Sequence, residues 1–247
     1  MTSVCAVIPV FDHEHAVGSM VAPLRRQGLT VFLVDDGSGS SCAAALKRLG
    51  DADANVRLLR LPQNQGKGAA VMAGLTAAAA AGFSHALQID ADGQHDPMDL
   101  PRFIAAVRAD PLSLVCGRPV FDASIPRHRF YLRYLTHAMV WLNTLSFDIP
   151  DSMCGLRVYP LAVVLPILTV EPPGRRMDFD SEVLVRLHWR GVRMQWVPTR
   201  VCYPADGVSH FRLLRDNWLI TRMHTRLFIG MLRRSPRLLA RKLGVAA

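Results

Sequence analysis

Residues 85–94 read HALQIDADGQ, a short apolar run that ends in two aspartates separated by one residue. Such a run, bounded by turn residues, is typical of a buried strand. Four similar runs lie in the first half of the chain, with helical patterns between them: Val4–Val10, Thr30–Val34, Val56–Leu61 and Leu112–Cys116. Strands that alternate with helices predict right-handed βαβ units and a parallel sheet covered on both faces. The sequence therefore predicts an α/β fold, a three-layer α/β/α sandwich around a mostly parallel sheet.

The second half of the chain is less regular. Helical patterns cover residues 130–145 and 178–190, and a strand pattern covers residues 192–197. A last helical pattern over Leu213–Arg233 mixes basic with apolar residues, which predicts a C-terminal amphipathic helix. We predict one domain over residues 1–210, followed by a basic helical tail over residues 211–247.

The composition is that of a globular protein, with 50% hydrophobic and 20% charged residues. The 5 cysteines are widely spaced and include no Cys-x-x-Cys pair, which argues against a disulfide framework and a zinc site. No apolar run reaches the about 18 residues that a membrane-spanning helix needs. These features predict a cytoplasmic protein that is soluble or in peripheral contact with the inner face of the cell membrane.

The net charge of +9 indicates an anionic partner: nucleic acid, an anionic membrane surface or a phosphorylated small molecule. Many of the basic residues fall in residues 118–133 and 212–242. In the second segment they alternate with apolar residues, which is more typical of an interfacial helix than of a nucleic-acid-binding stripe. The sequence has no zinc-finger spacing and no RNA-recognition aromatic motif, so we predict no nucleic-acid partner.

Polar residues follow each predicted strand, at the edge where a parallel sheet binds ligands. Asp35 and Asp36 follow the second strand, and can accept hydrogen bonds from a nucleotide base or ribose. Lys67 lies in the glycine-rich stretch NQGKG (64–68) after the third strand, where a solvated turn is the alternative interpretation. Asp90 and Asp92 project the same way from the fourth strand, so both can approach one hard cation such as Mg²⁺ or Mn²⁺.

Taken in order, the motifs resemble those of glycosyltransferase family 2, and are similar to its dolichol-phosphate mannosyltransferase branch. The resemblance extends to about residue 203 and rests on VIPVF (7–11), VDDGS (34–38), NQGKG (64–68), DADGQ (90–94), GR (117–118), DSMCGLR (151–157) and FDSE (179–182). It implies the nucleotide-diphospho-sugar transferase fold, with donor binding in residues 1–118 and acceptor binding in residues 119–210. It also implies inversion at the sugar carbon.

The resemblance implies a role for each matching residue. The residues that would bind the nucleotide are Pro9, Phe11, Asp35, Asp36, Lys67 and Asp90. The metal and diphosphate would be held by Asp90, Asp92 and Gln94. Asp180 or Glu182 would act as general base if the acceptor is a hydroxyl, whereas a lipid phosphate needs no base. One departure is Asp12, which stands where many members carry asparagine.

Residues that could contact an acceptor phosphate follow the fifth strand. Guanidinium groups bind phosphate oxygens in a bidentate way, and a solvated basic face is the alternative interpretation. His210 could approach the diphosphate, or be an ordinary loop histidine. The candidate acceptor-binding residues are Arg118, Arg129, Asp151, Arg157 and His210.

Three classes of function fit these patterns. The first is a glycosyltransferase that uses a nucleotide diphosphate sugar as donor and a lipid or polyprenyl-phosphate-like acceptor. A saccharide or a hydroxylated pigment-like lipid is an alternative acceptor. The others are a sugar-nucleotide nucleotidyltransferase and a non-catalytic sugar-nucleotide-binding or scaffold protein. The intact acidic motifs favour the first. The apolar stripe 218–231 in the tail predicts packing on the core, with docking on a membrane surface as the second interpretation.

Overall fold

A computed structural model describes residues 2–121, 127–201 and 212–244, without the side chains of residues 127–132. The strands are β1 (Val4–Val10), β2 (Val31–Asp35), β3 (Val56–Arg60), β4 (His85–Gln88), β5 (Leu114–Phe121), β6 (Arg157–Pro160) and β7 (Met194–Val201). The helices are α1 (Val17–Arg26), α2 (Ser40–Ala52), α3 (Lys67–Ala80), α4 (Leu100–Ala109), α5 (Arg127–Thr144), α6 (Leu161–Val170), α7 (Phe179–Trp189) and α8 (Leu213–Lys242).

The seven described strands form one sheet in the order β3-β2-β1-β4-β6-β5-β7. The strand β6 runs antiparallel to both its neighbours, and the other described pairs are parallel. The predicted mostly parallel sheet is therefore confirmed. Because β6 enters the sheet from the opposite direction, the segment before it reaches the same edge as the carboxyl ends of the parallel strands.

Two hydrophobic clusters lie on opposite faces of the sheet, as alternation along a strand requires. On β1, Ala6 and Ile8 pack with α1, α2 and α4 in one cluster. Cys5 and Val7 pack in the other with α3 and with the helices of the second half. The expected three-layer sandwich is thus confirmed, and the sheet is covered on both sides.

The strand β6 and the helix α6 were not predicted from the sequence. The four residues of β6 begin with an arginine and are too few to show a two-residue period. The helix α6 is apolar nearly throughout and carries an internal proline, so it lacks a polar face that would mark it as a surface helix. Within the described residues, no helix has the length and apolar character needed to span a bilayer.

The C-terminal helix α8 packs on the core and extends nine residues beyond its predicted end, through Pro236. Its predicted apolar stripe divides between two environments. Met223, Leu227 and Met231 are buried in the core cluster, whereas Trp218 is 67% exposed. Core packing, the first interpretation, is therefore confirmed for only part of the stripe.

Candidate functional site

The acidic segments meet at one edge of the sheet because of the strand register. Val10 at the end of β1 lies beside Asp35 at the end of β2. Gln88 at the end of β4 lies beside Arg157 at the start of β6. The motifs that follow β1, β2 and β4 and the motif that precedes β6 therefore share this edge, as predicted for a ligand site of a parallel sheet.

The centre of the site is an ion-pair cluster formed by Lys67, Asp90 and Asp180. The Nζ atom of Lys67 lies 2.8 Å from Oδ2 of Asp90 and 2.7 Å from Oδ2 of Asp180. Burial disfavours the charge on Lys67, but the two carboxylates outweigh it and raise the lysine's pKa. Lys67 thus acts as an internal cation for both carboxylates, and α3 begins at this residue.

Three buried residues hold Asp180 in place. The Nε2 atom of Gln88 donates to Oδ1 of Asp180 at 3.2 Å, and the Tyr159 hydroxyl donates to Oε1 of Gln88 at 2.9 Å. Arg157, 1% exposed, donates to the backbone carbonyls of residues 152, 154 and 180. Arg157 is therefore a buried residue that positions the backbone around Asp180. The family motif had suggested that it binds the acceptor phosphate.

Asp90, Asp92 and His95 lie close together beyond the end of β4. Oδ1 of Asp90 and Nδ1 of His95 are buried without a hydrogen-bond partner among the described residues. Burial and the charge of Asp90 raise the pKa of Asp92 above its usual range. The backbone N–H of Gln94 donates to Asp92 Oδ1 at 3.1 Å. The unpartnered carboxylate oxygen of Asp90 fits a hard cation.

The described residues contain no ready-made group of three or more acidic, histidine or cysteine ligands. Mg²⁺ and Mn²⁺ suit such an open arrangement, because they take further ligands from substrate phosphates and water. The sequence predicted Asp90, Asp92 and Gln94 as ligands, and of these Asp90 and Asp92 have the carboxylates that would hold the ion.

Glycines allow the chain to approach the cluster closely. A Cβ atom on Gly155 would lie 2.1 Å from Oδ2 of Asp90. A Cβ atom on Gly68 would lie 2.6 Å from Cβ of Phe179, at the start of α7. Gly66 has φ +103°, a conformation that favours glycine. The glycine of DSMCGLR (151–157) is thus explained by its contact with the Asp90 carboxylate.

Asp35 and Asp36, predicted as nucleotide-binding residues, are buried at the carboxyl end of β2. Oδ1 of Asp35 accepts from the backbone N–H of Ser38 at 2.8 Å, and Oδ2 pairs with Arg60 at 3.0 Å. The two Asp36 oxygens accept from the N–H groups of Gln65 and Gly66 at 2.7 and 2.8 Å. Asp36 therefore fixes the loop before α3, and burial raises its pKa despite these bonds.

The end of β1 contains two of the predicted nucleotide-binding positions and the departure from the family pattern. Pro9 is buried in the sheet, and Phe11 is half-buried just beyond it. Asp12, with φ 51°, accepts from the N–H of Gly39 through Oδ1 at 2.8 Å. The Asp12 side chain, at the position that departs from the family pattern, therefore connects the loop after β1 to the loop after β2.

Glu182 lies apart from the Lys67 cluster and is fully buried. Its Oε1 atom accepts from Arg186 at 2.6 Å. Its Oε2 atom accepts from Arg226 of α8 at 2.6 Å and from the N–H of Gly174 at 2.8 Å. Both oxygens are therefore occupied, and Glu182 links α7 to α8 and to the loop before α7.

The remaining candidate acceptor-binding residues lie in separate parts of the structure. Asp151 is buried and accepts from Arg133 of α5, with Nη2 to Oδ1 at 2.7 Å. Burial opposes its ionisation, but His137 and Arg133 outweigh burial and hold the pKa of Asp151 well below its usual range. Arg118 is exposed on β5. The Arg129 side chain and His210 lie outside the described residues.

Gln88, His95 and Tyr159 belong to the site but were not selected from the sequence. Gln88 carried one signal, since it is a polar residue in an otherwise apolar part of β4. Tyr159 carried none, because it lies in a strand that was itself not predicted. His95 follows the acidic motif by one residue, and only the structure shows it buried beside the two aspartates.

Comparisons with known proteins identify the family of the chain. Residues 5–165 match the family described as glycosyl transferase family 2. The polyprenol monophosphomannose synthase of Mycolicibacterium smegmatis is 36% identical over 194 residues, which cover 75% of this chain and 71% of that protein. The UDP-N-acetylglucosamine–dolichyl-phosphate N-acetylglucosaminyltransferase of Methanococcus voltae is 24% identical over 82% of this chain and 87% of its own length.

A solved structure shows the same fold at low identity. Glucosyl-3-phosphoglycerate synthase from Mycobacterium tuberculosis, in complex with Mn²⁺, UDP-glucose and phosphoglyceric acid, superposes with a TM-score of 0.67 at 15% identity. The alignment covers 93% of this chain and 79% of that one. Because more than half of the chain matches the family, this protein is an enzyme of glycosyltransferase family 2.

Proposed function

We propose that the enzyme transfers a hexosyl-type sugar from a nucleotide diphosphate donor to a lipid phosphate of the polyprenyl type. The two sequence relatives carry polyprenol or dolichyl phosphate in their names, and the structural relative was solved with Mn²⁺ and UDP-glucose. Residues 1–118 would bind the donor and residues 119–210 the acceptor. The nucleotide would lie along the wall made by Pro9, Phe11, Asp35 and Asp36.

One observation supports a phosphate acceptor over a hydroxyl acceptor. Both Asp180 oxygens are already bound, to Lys67 and to Gln88, and both Glu182 oxygens are bound as well. In the described part of the chain, every one of these oxygens already accepts a hydrogen bond, so taking a proton from a hydroxyl would compete with an existing contact. A phosphate monoester is largely ionised near neutral pH and needs no such base.

In the proposed reaction the acceptor oxygen attacks the sugar carbon while the bond from that carbon to the diphosphate oxygen breaks. The nucleoside diphosphate leaves, and the configuration at the carbon is inverted. A Mg²⁺ or Mn²⁺ ion at Asp90 and Asp92, when bound, supplies charge neutralisation to the leaving diphosphate. Lys67 holds Asp90 ionised and Gly155 fixes its position. Arg118, which is part of the GR motif (117–118) and exposed on β5, is the residue that we assign to the acceptor phosphate.

Calorimetry with UDP, GDP and their sugar conjugates, with and without Mn²⁺, tests the donor side. We expect metal-dependent binding of one nucleotide. Transfer to undecaprenyl phosphate, compared with undecaprenol, then tests the acceptor: the phosphate should be used and the alcohol should not. Preferential use of the alcohol would contradict the base-free mechanism.

The variant Asp92→Asn tests the metal assignment directly. It should abolish transfer and metal-dependent nucleotide binding while leaving the thermal unfolding temperature near that of the wild type. Near-normal turnover by this variant would exclude Asp92 as a metal ligand.

A further inference from the structure

The helix α8 has a second apolar row, on the side opposite to its buried face. Leu214, Trp218, Ile229 and Leu232 fall within about 60° of one another at 100° per residue. The buried Met223, Leu227 and Met231 lie on the other side of the same helix. Leu214 is 88% exposed and Trp218 is 67% exposed. This outer row is not explained by core packing.

A basic groove of about 490 Å³ accompanies the outer row, between α7 and α8. Its lining includes the arginines Arg186, Arg222, Arg226, Arg233 and Arg234. Glu171 and Glu182 pair with three of them: Arg186, Arg226 and Arg234. Arg222 and Arg233 are exposed and form no ion pair with any described residue. Five arginines against two carboxylates leave the groove positively charged.

We propose that α8 is a docking surface for an anionic phospholipid bilayer, on which it lies in the plane of the membrane. The outer apolar row would enter the boundary between headgroups and acyl chains, and Arg222 and Arg233 would contact lipid phosphates at the groove. For the apolar stripe of this helix, the sequence predicted membrane contact as an alternative to core packing. In the structure one face of α8 packs on the core, and the opposite face is the one available to a membrane.

The observations favour a bilayer over a protein or nucleic-acid partner. The outer row runs from Leu214 to Leu232, about 27 Å along one side of the helix, which matches an extended flat surface. Apolar side chains flanked by arginines are the pattern of interfacial helices. A nucleic acid would use the arginines and leave the leucines and Ile229 without a partner. This inference does not depend on which acceptor the enzyme uses.

Sedimentation of the full chain with vesicles tests the proposal. The protein should bind vesicles of phosphatidylglycerol and phosphatidylcholine and bind pure phosphatidylcholine weakly. Each arginine near an anionic surface contributes about fivefold to binding, so the double variant Arg222→Gln, Arg233→Gln should partition roughly 25-fold less. The matched control Arg48→Gln, Arg108→Gln removes the same charge from α2 and α4, and should remain within about twofold of the wild type. Equal losses in the two double variants would overturn the proposal.

Trp218 provides a second readout that does not depend on charge. Brominated phosphatidylglycerol should quench part of the tryptophan fluorescence of the wild type, and Trp218→Ala should abolish that quenching. Unchanged quenching in Trp218→Ala, or no binding of anionic vesicles by the folded wild type, would overturn the docking surface. The arginine double variant should still transfer sugar to a water-soluble, short-chain polyprenyl phosphate, so failure of docking is distinguishable from failure of the proposed transfer.

Discussion

Gly155 is the residue through which the geometry of the Asp90 carboxylate can be changed without altering any charge. An alanine Cβ at this position would lie 2.1 Å from Oδ2 and 2.6 Å from Cγ of Asp90. Ordinary van der Waals contact requires roughly 3.5 Å, so the carboxylate must retreat by more than about 1 Å. The 2.8 Å ion pair between Asp90 and Lys67 would then be stretched or lost.

Two effects of Gly155→Ala follow from this displacement. Overpacking in a well-packed interior costs about 1–3 kcal/mol, which for a protein of this size lowers the unfolding temperature by about 2–4 °C per kcal/mol. Misplacement of a catalytic group by about 1 Å can reduce the rate by about 10²-fold. We therefore expect kcat/KM for sugar transfer to fall about 100-fold in protein that remains folded at the assay temperature.

The matched control is Gly18→Ala on α1, where an added Cβ meets no atom within 4 Å. Alanine in the interior of a helix is more favourable than glycine by about 0.5–1 kcal/mol, so this variant should be as stable as the wild type or slightly more so. Nucleotide release during transfer measures activity, and differential scanning fluorimetry measures stability. Wild-type activity and stability in Gly155→Ala would refute the assignment of Asp90 as a fixed element of the site.

Two further variants test the buried charges. Lys67→Met leaves Asp90 and Asp180 without their shared cation and should lower the free energy of unfolding by about 3–5 kcal/mol. Lys47→Met, which breaks only an exposed pair, should cost less than about 1 kcal/mol, and equal losses in urea unfolding would contradict the cluster. Burial lowers the pKa of His224 to about 4, against the opposing charge of Glu182. Its contribution to stability is therefore present above pH 6.5 and lost as the pH falls towards 4. His224→Gln should reduce the stability difference between pH 7 and pH 4.5 by on the order of 2 kcal/mol; an unchanged difference would show that the histidine is not buried in its neutral form.

The first half of the fold could be predicted from sequence because its signals are local. The runs at β1 to β4 alternate with helical patterns at short intervals, and each strand ends in polar residues. Right-handed crossovers then leave little freedom in how these strands are arranged. The order of the acidic motifs also identified the family, and the segments containing Asp35, Asp36 and Asp90 indeed lie at one edge of the sheet.

The roles of individual charged residues could not be predicted in this way. Arg157 is the last residue of a site motif, yet its guanidinium is buried among carbonyl groups. Glu182 lies two residues from Asp180, yet the rotation of about 200° between them on α7 directs Glu182 towards Arg226 of α8. The spacing of these residues along the chain does not show whether a side chain points towards the ligand or into the protein interior. That depends on the direction of its Cα–Cβ bond, which only the structure shows.

The sequence by itself determined the α/β class, the family and the set of polar residues available to the site, because periodicity and motif order are properties of the chain. The tertiary structure decided which of those residues pair. Lys67 meets Asp180 across 113 positions of sequence, and β6 brings Gly155 against Asp90 from the opposite direction. The structure also shows that α8 has one apolar face packed on the core and a second apolar face that is exposed. Contacts of this kind depend on sheet register and helix orientation, which no local pattern specifies.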